Sequence, residues 1–271
     1  FPFLIHGVPV IKLSQAIGPI TSPINRICAK WVLPKLSYLA ARGRKTVEYL
    51  KDFGLSDSNW NYAPDTAFLL DLKDAPQPVS KRDGIIFMPS SLMQKKDPNY
   101  PQQLADTIKE LRGKGHRISI LAHSWKDNSD LPRNNDYPLC QSIHQKLGTP
   151  EDVKLFGPGL DARELKQVVS QHRIAVTSRF HGMIAALDSE TPVWVLGWSH
   201  KYREVLVEFD LEHCAVKAES ASPSDLSMTL NHAYADASNY ASKLIENLPR
   251  VRKQCAAQFE RLFEIVERSQ R

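Results

Sequence analysis

Between residues 178 and 206 the chain reads SRFHGMIAALDSETPVWVLGWSHKYREVL, and Arg179, His181, His200 and Lys201 stand around two short apolar runs. Core strands have no use for such groups at their ends, whereas a site that holds a small anion does. Arginine and lysine supply positive charge for a phosphate or carboxylate, and imidazole is the side chain that takes up and releases a proton near neutral pH. A helix starting beside them adds the positive end of its dipole, and Gly182 permits close backbone approach. Singly, each residue also has an ordinary use: Arg179 can pair with a carboxylate, His181 can cap a helix, and His200 and Lys201 can face solvent. Placed together at consecutive strand ends, they read as an anion site.

The elements that must position these residues follow from the apolar pattern. From Gly84 onward, short runs (GIIFMPS, RISILAHS, DVKLFG, RIAVTS, PVWVLGW) alternate with helical stretches over 101–113, 137–147, 161–171, 181–188 and 201–209. That alternation predicts an α/β fold with a mostly parallel, doubly wound sheet. Ligands of such sheets bind beyond the carboxyl ends of the strands. RIAVTS ends at Ser178 and PVWVLGW at Trp198, so both clusters fall on one rim. Upstream, Val8 to Leu13 reads as a strand and 23–33 as a helix. LSYLAAR reads as a strand ending at Arg42, KTVEYLKDFG as a helix stopped by Gly54, and NYAPDTAFLL as a strand or turn leading to Asp65. Residues 71–83 are polar, carry two prolines, and read as a linker. The expected domains are 1–75, 76–222 and a C-terminal pair of helices, 223–271, broken near Pro249. The first domain enters mid-alternation, as if βα units before Phe1 were absent.

Composition narrows the function classes. Thirty-five Lys and Arg against 30 Asp and Glu give a net charge of +5, too mild and too spread to call for nucleic acid. The balance suits small anionic substrates or a peripheral contact with an acidic membrane. The cysteines at 28, 140, 214 and 255 have no CxxC pair and no metal-ligand spacing, so buried thiols and no metal are expected. No apolar run approaches the ~20 residues that span a bilayer. Secondary candidates are His123 with Asp127 or Asp130 in AHSWKDNSD, and Asp65 in PDTAF, which can contact a hydroxyl or cap a turn. Asp161 in GPGLDARE reads as a helix cap.

SRFHGMIAAL followed by PVWVLGWSHKY resembles the C-terminal signature of the polysaccharide pyruvyl transferase family. LSQAIGPI, AARGRKTVEYLKDFG and APDTAF resemble earlier blocks of that family in the same order, and the likeness runs from about residue 8 to 216. It implies two Rossmann-like domains, as in the glycosyltransferase-B class. It also implies transfer of the enolpyruvyl unit of phosphoenolpyruvate onto two hydroxyls of a sugar or glycan acceptor, giving a cyclic ketal. His181 and Lys201 match donor-binding or catalytic positions, and Arg42 matches an arginine facing the cleft. Arg179 matches the arginine of the RFHG block. Ser178, His200, Gly182, Asp65 and His123 complete the expected substrate-binding set. Thr46 stands where the family usually has serine, and the family's glycine-rich opening turn has no counterpart. The resemblance implies no cofactor, with phosphoenolpyruvate as donor substrate on the second domain and the acceptor on the first. It places the protein in the cytoplasm, at the inner membrane face, or in the Golgi lumen of a eukaryote; oligomeric state stays open. A nucleotide-sugar glycosyltransferase of the same fold is the alternative, and a non-catalytic binding protein a further one.

Overall fold

The computed structural model of the chain describes residues 2–55, 60–126, 131, 135–197, 199–217 and 222–269. The chain divides into two compact units, Phe1–Leu70 with Pro249–Arg271, and Asp71–Leu248. Asp127, Asp130 and Trp198 lie outside the described residues.

In the first unit, α1 (Pro2–Ile5) precedes β1 (Ile11–Gln15), α2 (Pro23–Val32), β2 (Tyr38–Ala41), α3 (Arg44–Asp52) and β3 (Trp60–Tyr62). The strands form a parallel sheet in the order β1-β2-β3. Strand side chains alternate between faces, and β2 shows it: Leu39 and Ala41 join Leu33, Leu36 and Leu50 in one cluster, while Tyr38 and Ala40 join Ala63 in another. β1 starts three residues later than expected. Pro9 has no N–H for a ladder, and the N–H of Val8 is taken by the carbonyl of Phe3 at 3.0 Å. Gly54, at φ 71°, ends α3 in the left-handed region that glycine adopts without strain.

The second unit runs β4 (Ile85–Met88), α4 (Ser91–Lys96), α5 (Tyr100–Gly113), β5 (Ile118–Leu121), α6 (Tyr137–Lys146) and β6 (Val153–Phe156). It continues through α7 (Ala162–Ser170), β7 (Ile174–Thr177), α8 (Phe180–Asp188), β8 (Val193–Leu196), α9 (His200–Leu206), β9 (Ala215–Val216) and α10 (Pro223–Ala235). All strand pairs are parallel and the order is β6-β5-β4-β7-β8-β9. Each residue of β4, β7 and β8 is buried, as a sheet covered on both faces requires. From β4 the chain moves outward through β5 to β6, then returns to the other side of β4 with β7. The β4/β7 boundary is therefore the topological switch point, where the mouths of neighbouring strands part and leave a crevice.

Three expectations are corrected. Residues 71–83 are not a free linker but are fastened to the second unit. Lys73 pairs with Glu164 at 2.9 Å, the Asp74 N–H donates to Gln167 at 3.0 Å, and buried Arg82 donates to Ser189 O at 3.1 Å and Thr191 Oγ1 at 2.8 Å. The C-terminal helices do not form a separate segment: α10 and the first part of α11 (Ala237–Ser269) belong to the second unit, and Pro249 onward to the first. Nor does the helix break at Pro249; the break falls at Asp236. Pro249 removes one bond, to the carbonyl of Ile245, whose exposed side lets water replace the lost donor. A stripe of Ala241, Leu244, Leu248, Val251 and Cys255 keeps α11 packed on both sides of the proline.

Candidate functional site

Four loops meet at the carboxyl ends of the second unit's strands. β4 delivers Ser90 and Ser91, β5 delivers His123 and Ser124, β7 delivers Ser178 and Arg179, and β8 leads to the first turn of α9. Between them opens a pocket of about 360 Å³ whose lining includes Ser90, His123, Ser124, Arg179, His181 and Tyr202. Of the residues expected at this rim, Arg179, His181, Ser178 and His123 line the pocket.

Asp136, directly before α6, holds the loops in register. It is fully buried, accepts from Ser91 N at 3.0 Å, Ser91 Oγ at 2.7 Å and Ser124 N at 3.1 Å, and receives Arg179 Nε at 2.7 Å. Arg179 Nη2 also donates to its other oxygen, making the pair two-pronged. Arg179 thus orients the site through Asp136 while its side chain stays 13% exposed toward the pocket. The carboxylate partner that one reading of Arg179 required exists. Sequence reasoning missed it, because Asp127 and Asp130 drew attention and Asp136 offered only the weaker signal of a residue before a Pro-led helix.

His123 keeps part of its surface open to the pocket. Protein packed around the imidazole nevertheless penalises the charged form most strongly, and the charges of His181 and Arg179 act the same way. Asp136 opposes them, and the outcome is a pKa pushed down to about 4. At neutral pH His123 is therefore a neutral hydrogen-bonding ring. His181 lies exposed on the first turn of α8, its ring edge-to-face with Phe180 at 5.5 Å between centroids. The backbone entering α8 is set by Thr177, whose Oγ1 accepts from Arg179 N at 3.0 Å.

Ser178 and Gly182 are both engaged by the scaffold, and Ser178 also lines the pocket. The Ser178 hydroxyl is buried against the Tyr100 hydroxyl at 2.8 Å, and its carbonyl accepts from Tyr202 Oη at 2.9 Å. At Gly182 the close approach is that of helix to sheet. A Cβ there would lie 2.6 Å from Thr177 Oγ1 and 3.2 Å from the Met88 sulfur, so helix and strand are in direct contact on that side.

His200 and Lys201 stand on the first turn of α9, capped by Ser199, whose Oγ accepts from Lys201 N at 3.4 Å. Both are exposed on the neighbouring βα turn, and neither lines the pocket; Tyr202 represents that turn in the lining.

In the first unit, Arg42 follows β2 and its guanidinium pairs with Asp65. Asp65 is buried and caps a 3-10 turn, accepting from Ala67 N at 3.0 Å, so the capping role expected of it holds together with an ion pair. Thr46 Oγ1 accepts from Ile17 N at 3.1 Å and anchors the LSQAIGPI loop. Among the described residues no group of three or more His, Cys, Asp or Glu is arranged to hold a metal ion.

Two α/β units with parallel sheets, the second with its pocket at the switch point, define the class: a glycosyltransferase-B-like fold. Solved structures agree at the level of fold. Staphylococcus aureus MnaA with UDP superposes with a TM-score of 0.62 at 12% identity, over 90% of this chain and 65% of that one. The Neisseria meningitidis UDP-GlcNAc 2-epimerase bound to UDP-GlcNAc gives 0.63 at 12%, over 97% and 71%. Anabaena HepE in complex with UDP and glucose gives 0.56 at 12%, over 98% and 72%. The chain thus spans about 65% of the length of the S. aureus protein. Among curated proteins none matches. The sequence profile of the polysaccharide pyruvyl transferases matches residues 1–200, and the chain belongs to that family. The match ends at His200, so Lys201 lies just beyond it.

Proposed function

We propose that this chain carries the donor chemistry of a pyruvyl transferase: phosphoenolpyruvate binds in the pocket beside α8, and its enolpyruvyl unit passes to a sugar as a ketal. The observation that carries the reading is the Arg179–Asp136 pair, which presents a guanidinium edge and the amino end of α8 to one pocket. Asp136 offsets the Arg179 charge, so what the pocket offers a small trianion is guanidinium N–H groups and the positive end of the α8 dipole, with Lys201 adding charge from the adjacent turn. His181 protonates the methylene carbon of the enol, leaving a cationic central carbon. One sugar hydroxyl adds there and loses its proton. The C–O bond to phosphate then breaks with phosphate leaving, and the second hydroxyl closes the ketal with loss of its own proton. Neutral His123 is suited to hydrogen-bond an incoming hydroxyl, not to add charge. Lys201 acts as an electrostatic anchor from the adjacent turn, and Arg42 with the first unit serves the acceptor. Phosphoenolpyruvate is a substrate in this scheme, and no cofactor takes part.

A second reading has support in the neighbours whose structures hold UDP or UDP-sugars. It makes the pocket a diphosphate site. Thermal shift and calorimetry separate the two. Stabilisation by phosphoenolpyruvate, reduced in Arg179→Met, supports pyruvyl transfer; stabilisation by UDP alone would replace it with sugar-nucleotide chemistry.

A further inference from the structure

Helix α2 carries two apolar stripes where one would suffice. Ala29 and Val32 face inward against the cluster of Leu33, Leu36 and Leu50. Ile24, Ile27 and Trp31, spaced i, i+3 and i+7, form a second stripe on the other side of the helix, and they are 72%, 69% and 40% exposed. No residue of α2 is fully buried. Arg26 and Lys30 flank the outer stripe and Lys35 follows it, with its ammonium 3.9 Å over the Trp31 ring. The charge around the helix is one-sided. Seven of the chain's 35 Lys and Arg fall within residues 1–47 and none of its 30 Asp and Glu does, the first acid being Glu48. The remainder of the chain is slightly acidic, so the basic excess is concentrated in these first 47 residues and not spread along the chain as composition alone suggested.

We propose that α2 docks the protein on an anionic lipid surface. Ile24, Ile27 and Trp31 enter the boundary between headgroups and acyl chains, and Arg26, Lys30 and Lys35 engage the headgroups. Aliphatic side chains beside a tryptophan and a row of cations make the composition of a helix lying in the plane of a membrane interface. No helix among the described residues is long and apolar enough to cross a membrane. A second copy of the chain is the poorer occupant, because a symmetric contact would set Arg26 and Lys30 against the same cations. A nucleic acid would meet the charges but leave Ile24 and Ile27 without an apolar partner.

The proposal is independent of the reaction in the second unit and is tested without it. The purified chain is sedimented with vesicles of phosphatidylcholine alone and of phosphatidylcholine with phosphatidylglycerol. Binding is expected only to the anionic vesicles at ~0.1 M salt and should weaken at ~1 M, where the Debye length falls from about 10 Å to 3 Å. Replacing all three cations by glutamine (R26Q, K30Q, K35Q) should lower partitioning about 100-fold, given roughly fivefold per cation near an anionic surface. The pair Ile24→Ser and Ile27→Ser should release the protein at either salt. All five positions are exposed, so thermal melting should match the parent; if the serine pair melts early, the glutamine set decides alone. Parent protein that ignores anionic vesicles, or variants that bind as the parent does, would overturn the proposal. So would a dimer in sedimentation velocity that Ile24→Ser disperses without any vesicle binding, since the stripe would then be covered by a second copy.

Discussion

Arg179 Nε lies 2.7 Å from Asp136 Oδ2, and through that contact the loop after β7 is tied to the loops after β4 and β5. Each strand delivers its own residue to the pocket, and the buried carboxylate joins three of those loops in one hydrogen-bonded set. The pair is internal and well hydrogen-bonded, the condition under which two buried charges are tolerable. Its function is positional: it sets where the guanidinium edge, the amino end of α8 and the His181 ring stand.

Asp136→Asn should therefore destabilise the fold by up to about 3–5 kcal/mol, because a largely buried guanidinium is left without its counter-charge. Urea unfolding at neutral pH measures this. The double variant Asp136→Leu with Arg179→Met should recover much of the loss, since neither charge is then stranded. If the single variant loses under 1 kcal/mol, the carboxylate does not hold the loops.

Burial of His123 makes stability depend on acid. Its folded pKa is about 4, below the ~6.5 of an unfolded histidine, so the unfolded chain binds more protons between those values. Stability from this group is complete above about pH 6.5, falls as pH drops toward 4, and changes no further below that. His172 is shifted down by burial and adds a loss of the same sign. His123→Gln should flatten the decline between pH 6.5 and 4 by one to a few kcal/mol while leaving that of His172. Parallel curves for parent and variant would show that the ring is free to charge.

Gly182→Ala tests the packing of α8. Alanine favours a helix over glycine by about 1 kcal/mol, so a solvent-facing site would gain stability. Here the methyl would lie 2.6 Å from Thr177 Oγ1, and a net loss of about 1–3 kcal/mol is expected. Adding Thr177→Ala should restore part of it. A stabilised single variant would mean that helix and strand separate more easily than their contact indicates.

How much of this was legible depends on the range of the interactions. The strands and helices of the second unit follow from local apolar period, and SRFHG marks the turn into α8 because strand, cation and helix start are contiguous. Asp136 was not visible: its partners Ser91 and Arg179 lie 45 and 43 residues away, and nothing near it in sequence predicts both. Tyr202 escaped for the same reason, its bond to the Ser178 carbonyl crossing 24 residues from one βα turn to the next. Gly182 was taken as a close approach to substrate, and the approach the structure shows is that of helix to strand, which local sequence does not tell apart. At Pro249 a local rule predicted a break, and the packed stripe of α11 overrode it.

His181 and Lys201 provide the sharpest kinetic test, because the pocket includes the first and not the second. Near neutral pH an imidazolium is a competent proton donor to carbon, whereas an ammonium is a poor one. His181→Ala should lower kcat with phosphoenolpyruvate by about 10²-fold or more, the scale of general acid catalysis. Lys201→Ala acts through charge on an exposed neighbouring turn. It should raise KM for phosphoenolpyruvate more than it lowers kcat, and the rise should shrink at high salt as exposed charge is screened. Should His181→Ala turn over normally, the acid is elsewhere and His200, on the same turn as Lys201, is the next residue to replace. A loss of kcat in Lys201→Ala equal to that in His181→Ala, insensitive to salt, would place the ammonium at the reacting atoms.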